Sequence, residues 1–158
     1  MRVTSMPTAT PPGLLLPVPD DDGAPFWEYA ARGELRVQAC DGCGAWRFPP
    51  RPCCPRCGSF ARVWQPTSGR GRVWSYVIAH PPLLPGYAEL APYDVAVIEL
   101  ADDPAIRLVG NVVAAPDAAP GSVDPDRLRI GAPVRAVFAT VKDGERHMCV
   151  PRWLLERP

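Results

Sequence analysis

The stretch CDGCGAWRFPPRPCCPRCGS, residues 40–59, holds two cysteine pairs of equal spacing, Cys40-Asp41-Gly42-Cys43 and Cys54-Pro55-Arg56-Cys57, with ten residues between them. Ten residues that include Pro49, Pro50 and Pro52 cannot build a helix, and the arrangement predicts a metal-pinned β-ribbon. Each pair predicts a knuckle in which two thiolates converge from one side, with Gly42, Gly44 and Gly58 supplying backbone freedom. Two facing knuckles make a closed tetrahedral site suited to Zn²⁺. Such a site keeps no open position for water or substrate, so the metal is expected to hold the fold and not to react. Cys53 offers an alternative partner for Cys57, but only Cys54 gives two equal gaps; Cys40, Cys43, Cys54 and Cys57 are the expected ligands.

Around the cysteines, Leu35–Ala39, Trp46–Phe48 and Arg62–Trp64 read as strands, placing the ribbon at residues 34–66. Beyond the turn Thr67-Ser68-Gly69-Arg70-Gly71 the pattern changes to period two. Val73–Ile78, Val95–Leu100, Arg107–Val113, Val134–Val141 and His147–Pro151 are the expected strands of a domain over 67–158. Gly110 is a candidate bend in the third, and Asp124–Leu128 a capped helical turn between the third and fourth. Five strands with that insertion predict an OB-type barrel. At the other end, residues 1–19 hold five prolines and no apolar period, which predicts a disordered tail. A short helix is expected over 20–33, with Asp20–Asp22 at its positive end, Pro25 in its first turn and Gly33 at its stop. Its stripe of Phe26, Trp27 and Ala30 fits two readings, packing on its own domain or docking on a partner.

Lys plus Arg and Asp plus Glu balance at 17 each. Without a cationic excess a general nucleic-acid binder is disfavoured. No apolar run long enough to span a bilayer occurs, and Pro11–Pro19 lacks the flanks of a signal peptide, so a soluble, cytoplasmic protein is expected. In that compartment six cysteines read as reduced thiols and not as three disulfides. A redox C-x-x-C would open a helix after a strand, which neither pair does.

No nucleophile–base pair, carboxylate pair or phosphate-cradling glycine motif stands out. His147 and Cys149 share a strand face and read as a barrel-face histidine and a small buried thiol. Asp102-Asp103-Pro104 reads as a solvated turn. Arg70 and Arg72 around Gly71 could contact a phosphate or could simply be solvated. The loop His80–Tyr87, with Leu84 at its centre, is too apolar for an ordinary exposed loop and should fold back on the barrel or touch a partner.

Together the aromatic helix Pro25-Phe26-Trp27, both cysteine knuckles, Phe48-Pro49-Pro50-Arg51, Ser68-Gly69-Arg70-Gly71, the proline-rich loop after His80 and Ile130-Gly131 resemble, over residues 20–155, a known family. These are small bacterial and archaeal proteins that join a rubredoxin-like zinc ribbon to an OB-fold and accompany thiolase-superfamily enzymes. The resemblance implies a mainly β fold with one short N-terminal helix, structural Zn²⁺, and a non-catalytic role in a hetero-oligomer. The partner, a thiolase, acyltransferase or sterol side-chain aldolase processing CoA thioesters, would supply the catalytic residues. Phe26, Trp27, Leu84 and Tyr87 are then the expected partner contacts, with Arg70 and Arg72 toward a CoA thioester. Cys53 and the N-terminal tail depart from the family pattern. Two rivals remain: a single-strand nucleic-acid binder stacking bases on Trp64, Trp74 and Tyr76, and an independent acyl-CoA enzyme.

Overall fold

The computed structural model describes residues 14–156. The expected tail therefore lies outside the described residues as far as position 13; Leu14–Pro19 is described and runs past α1. Helix α1 (Ala24–Ala31) carries its proline in the first turn. Asp20 starts it, accepting from the Gly23 amide at 2.6 Å through its carboxylate and from the Ala24 amide at 2.8 Å through its carbonyl. The helix stops where Gly33 turns to φ 77°, outside the range of an ordinary side chain.

Strands β1 (Arg36–Cys40), β2 (Trp46–Arg47) and β3 (Arg62–Pro66) form one antiparallel sheet with β1 in the middle. The second sheet holds β4 (Arg70–Ala79), β5 (Tyr93–Leu100), β6 (Arg107–Gly110), β7 (Val112–Val113), β8 (Pro133–Asp143) and β9 (Arg146–Leu155), in the order β6-β5-β4-β8-β9-β7. A four-residue helix α2 (Pro85–Ala88) joins β4 to β5, and a 3₁₀ turn at Pro125–Arg127 precedes β8. Asp124 caps that turn, accepting from the Asp126 amide at 2.9 Å. Strand β5 alternates without exception: Asp94, Ala96, Ile98 and Leu100 are buried, and the residues between them are half exposed.

The expected third strand is really two. β6 pairs antiparallel with β5, whereas β7 pairs parallel with β9, so the chain changes neighbours at Asn111 and closes the sheet into a barrel. Gly110 permits the crossing, since a Cβ there would lie 3.0 Å from the Trp153 indole. The Asn111 side chain donates to the Asp94 carbonyl at 2.6 Å, and the Asp94 carboxylate accepts from the Val112 amide at 2.6 Å. The fifth strand also runs past the expected stop at Pro151. There β9 has only β8 beside it, because β7 pairs from Trp153 onward, and a residue without an N–H is tolerated at such an edge. Gly71 is a strand residue of β4 and not a free turn: its Cβ would fall 2.6 Å from the Glu99 carbonyl oxygen.

One apolar core runs through all three parts. Phe26 of α1 and Leu35 and Val37 of the ribbon pack with Val73, Ile98, Leu108, Val134 and Trp153 of the barrel. Ribbon and barrel therefore stabilise each other by burial, in addition to anything a metal contributes.

Asp94 is the one buried carboxylate among the described residues, and its second oxygen has no protein partner. Burial raises its pKa against the opposing pull of the Val112 amide. A carboxyl whose folded pKa lies above the unfolded value of about 3.9 contributes stability at low pH that is lost as pH rises through the folded pKa. Asp94→Asn should remove that loss. The difference in urea midpoint between Asp94→Asn and wild type should thus move in the variant's favour between mildly acid and neutral pH. A difference constant with pH would refute the assignment.

Candidate metal centre and the groove beside it

The two knuckles have the same backbone design. The Gly44 amide donates to the Cys40 carbonyl at 2.8 Å, and the Gly58 amide to the Cys54 carbonyl at 2.8 Å. Gly44 and Gly58 take φ of 71° and 74°, the conformation that ends each turn; Gly42 needs no such freedom. The Cys40 and Cys57 sulfurs lie 3.5 Å apart, those of Cys43 and Cys54 3.7 Å apart, and all four fall within 4.8 Å of one another. Four thiolates at about 2.3 Å around a tetrahedral Zn²⁺ stand about 3.8 Å apart, so the cluster has the right size and donor set. Cys53 is exposed and outside this cluster, whereas Cys54 is buried within it.

The electrostatics match. The Cys43 amide, reinforced against burial by the Cys57 thiol and the Gly42 amide, lowers the Cys40 thiol to about 6. Amides of Arg56 and Cys57 lower Cys54 as well. At Cys57 the Ser59 amide favours the thiolate, yet the crowding sulfurs of Cys40 and Cys43 together with burial push it up to about 12. The centre thus favours ionisation at Cys40 and Cys54 and resists a further negative charge at Cys57, which is the arrangement a divalent cation relieves. On β1, buried Gln38 accepts from the Arg47 guanidinium and from the Arg51 amide at 2.9 Å, tying the proline-rich loop to that strand. Neither residue stood out in the sequence, because the strand pattern marks apolar positions and gives no sign of a buried polar pair.

The other expected site residues do not form one cluster. Phe26 is only 6% exposed, edge-on to Trp27 at 5.0 Å and tilted on Phe48 at 5.4 Å, so it belongs to the core of its own chain. Trp27 is half-buried and lines a groove of about 540 Å³ with Tyr87. Leu84 stands 60% exposed at the start of α2. Arg72 pairs with Glu99 at 2.9 Å. The amides around Arg70 already have partners: Ser68 donates to the Asp102 carboxylate, Gly69 to Thr67 and Arg70 to Ser68. The three aromatics of the nucleic-acid reading form no common platform. Trp64 packs on the core, the Tyr76 hydroxyl donates to the Leu128 carbonyl at 3.0 Å, and Arg107 covers the Trp74 ring at 4.1 Å. No helix among the described residues is long and apolar enough to cross a membrane.

Comparison with known proteins places both parts. The model of the ChsH2 rubredoxin-like zinc ribbon domain matches residues 27–61, and that of the ChsH2 C-terminal OB-fold domain matches residues 64–139. A Thermomonospora curvata protein named "Probable enoyl-CoA hydratase alpha subunit" is 39% identical over 129 residues, which are 80% of this chain and 37% of that protein. The chain thus spans less than two fifths of that relative's length. A "DUF35 domain-containing scaffold protein" of Methanothermobacter thermautotrophicus is 32% identical over 113 residues, 71% of this chain and 77% of the relative. Among solved structures, a chain of the "Ltp2-ChsH2(DUF35) aldolase" superposes with a TM-score of 0.73 at 34% identity, covering 89% of this chain and 98% of that one.

Proposed function

The chain belongs to the DUF35 family, with the zinc ribbon and OB-fold domains of ChsH2, and from that premise we propose that it is a non-catalytic subunit of a complex with a thiolase-superfamily enzyme that processes CoA thioesters. The observation that carries this reading is the end-to-end likeness to a chain of the Ltp2-ChsH2 aldolase. The chemistry of the site agrees with it. Among the described residues the one cluster of three or more ligating side chains is the cysteine centre, and four thiolates leave a bound zinc no open position. The zinc secures the ribbon; the partner supplies the reacting groups, and CoA contact is shared with it.

Leu84 at the start of α2, with Trp27 and Tyr87 along the groove, is the surface we assign to that contact. Co-expressed with a thiolase-superfamily protein, the chain should co-elute in a stable complex and raise that protein's acyl-CoA turnover, while showing none alone. Leu84→Glu should weaken assembly by about 2 kcal/mol, roughly 30-fold in Kd, because it strands a charge in an apolar contact, and should leave zinc content intact. Enzymatic turnover by the isolated chain, or tight salt-dependent binding of an oligonucleotide with no thiolase-like partner, would sink the reading.

A further inference from the structure

The groove of about 540 Å³ lies over the seam of the barrel. One wall is β6, which pairs with β5 alone; the opposite wall is the part of β9 before β7 reaches it. Helix α1 and the Leu14–Pro19 segment close the remaining sides. Its volume falls within the range of about 300–1,000 Å³ typical of small-molecule sites. Trp27, Tyr87 and Tyr93 present aromatic surface and Val109 aliphatic surface, with buried Phe26, Leu108 and Trp153 forming the floor behind them.

Charge within the groove is sparse. Among the described residues Arg152 is the one cation of the lining. It is half-buried, its Nη1 donates to the Ala118 carbonyl at 2.7 Å, and it has no carboxylate partner among the described residues. Burial lowers its pKa, which marks a guanidinium that has given up water without gaining a counter-ion. Asp20 is the one acid of the lining among the described residues, and its carboxylate is held by the Gly23 amide at 2.6 Å. A single fork of N–H donors beside apolar walls suits one carboxylate; a polyphosphate would call for several cations.

We propose that this groove is a binding site for an apolar carboxylic acid, its hydrocarbon body against the aromatic walls and its carboxylate on Arg152. The site shares Trp27 and Tyr87 with the surface assigned to the partner above, so it is tested on the isolated chain, where failure of the ligand site and failure of the assembly reading are distinguishable.

The test uses the purified zinc-loaded chain, with binding followed by quenching of its tryptophan fluorescence. Dodecanoate and deoxycholate serve as straight-chain and fused-ring acids, and 1-dodecanol as the uncharged control, all below their micellar range. Saturable binding is expected for at least one acid at one per chain, with dodecanoate about tenfold or more tighter than dodecanol if the straight chain fits. Arg152→Gln should weaken the bound acid by about tenfold and leave dodecanol unchanged, with Arg152→Lys recovering part of the loss. Val109 is 69% exposed and free to change without disturbing the core; Val109→Trp should fill the groove and weaken acid and alcohol alike. The acid–alcohol comparison and Val109→Trp need no change at Arg152, so they decide the matter even if Arg152→Gln does not fold. Failure of both acids to saturate, equal affinity for dodecanoate and dodecanol with no acid bound through Arg152, or binding untouched by Val109→Trp would overturn the proposal.

Discussion

Cys54→Ser is expected to release the zinc and unfold the ribbon, whereas Cys53→Ser should retain one zinc per chain. The contrast follows from geometry: Cys54 is in the four-sulfur cluster and Cys53 is exposed outside it. Structural zinc in small modules contributes an apparent 10–16 kcal/mol, about as much as or more than the whole stability of an ordinary domain, so losing one thiolate removes most of what orders the ribbon. The effect should also reach the barrel. Leu35 and Val37 belong to the same core as Val73 and Trp153, so the zinc-free chain should keep most of its β signal in far-UV circular dichroism but melt at a lower temperature. Metal analysis and thermal melts of the two variants decide it. Zinc retained by Cys54→Ser and lost by Cys53→Ser would reverse the ligand assignment.

Trp153→Ala is expected to cost about 3–5 kcal/mol, a large part of the stability of a domain this size. Trp153 is 1% exposed on β9, where that strand pairs with both β8 and β7, and its indole fills the space above Gly110. Its backbone bond to the Asn111 carbonyl survives the substitution, so the loss reports the cavity and not the ladder. The urea midpoint should fall accordingly while the cysteine centre still binds zinc. A loss below about 1 kcal/mol would mean that barrel closure does not depend on this side chain.

The knuckles were legible because ligand chemistry is written in local spacing: two C-x-x-C pairs, each followed by a glycine, dictate two turns that converge. Helix α1 was legible from Pro25 and Gly33, and β5 from its strict alternation. The split of the third strand showed only as a suspicion at Gly110, because the partner that demands it, Trp153, lies 43 positions further on. The Gln38–Arg47 pair and the buried Asp94 left no signal. A buried polar residue and an exposed one look alike in a sequence, and only the packing around them tells which is which.

Arg70, Gly71 and Arg72 show the same limit from the other side. In sequence they form a basic, glycine-centred turn open to a phosphate; in three dimensions Gly71 is crowded by the Glu99 carbonyl and Arg72 is paired with Glu99. The aromatic helix was likewise ambiguous until Phe26 was found inside the shared core. What the sequence by itself determined was the metal centre, the order of helix, ribbon and barrel, and the family, because each rests on residues close together in the chain. What only the tertiary structure decided was the joining of ribbon and barrel into one core, the closure of the barrel at Asn111, and the groove with the Arg152 guanidinium in its lining. These depend on contacts between residues tens of positions apart, where burial and charge balance are properties of the packed surface and not of any segment.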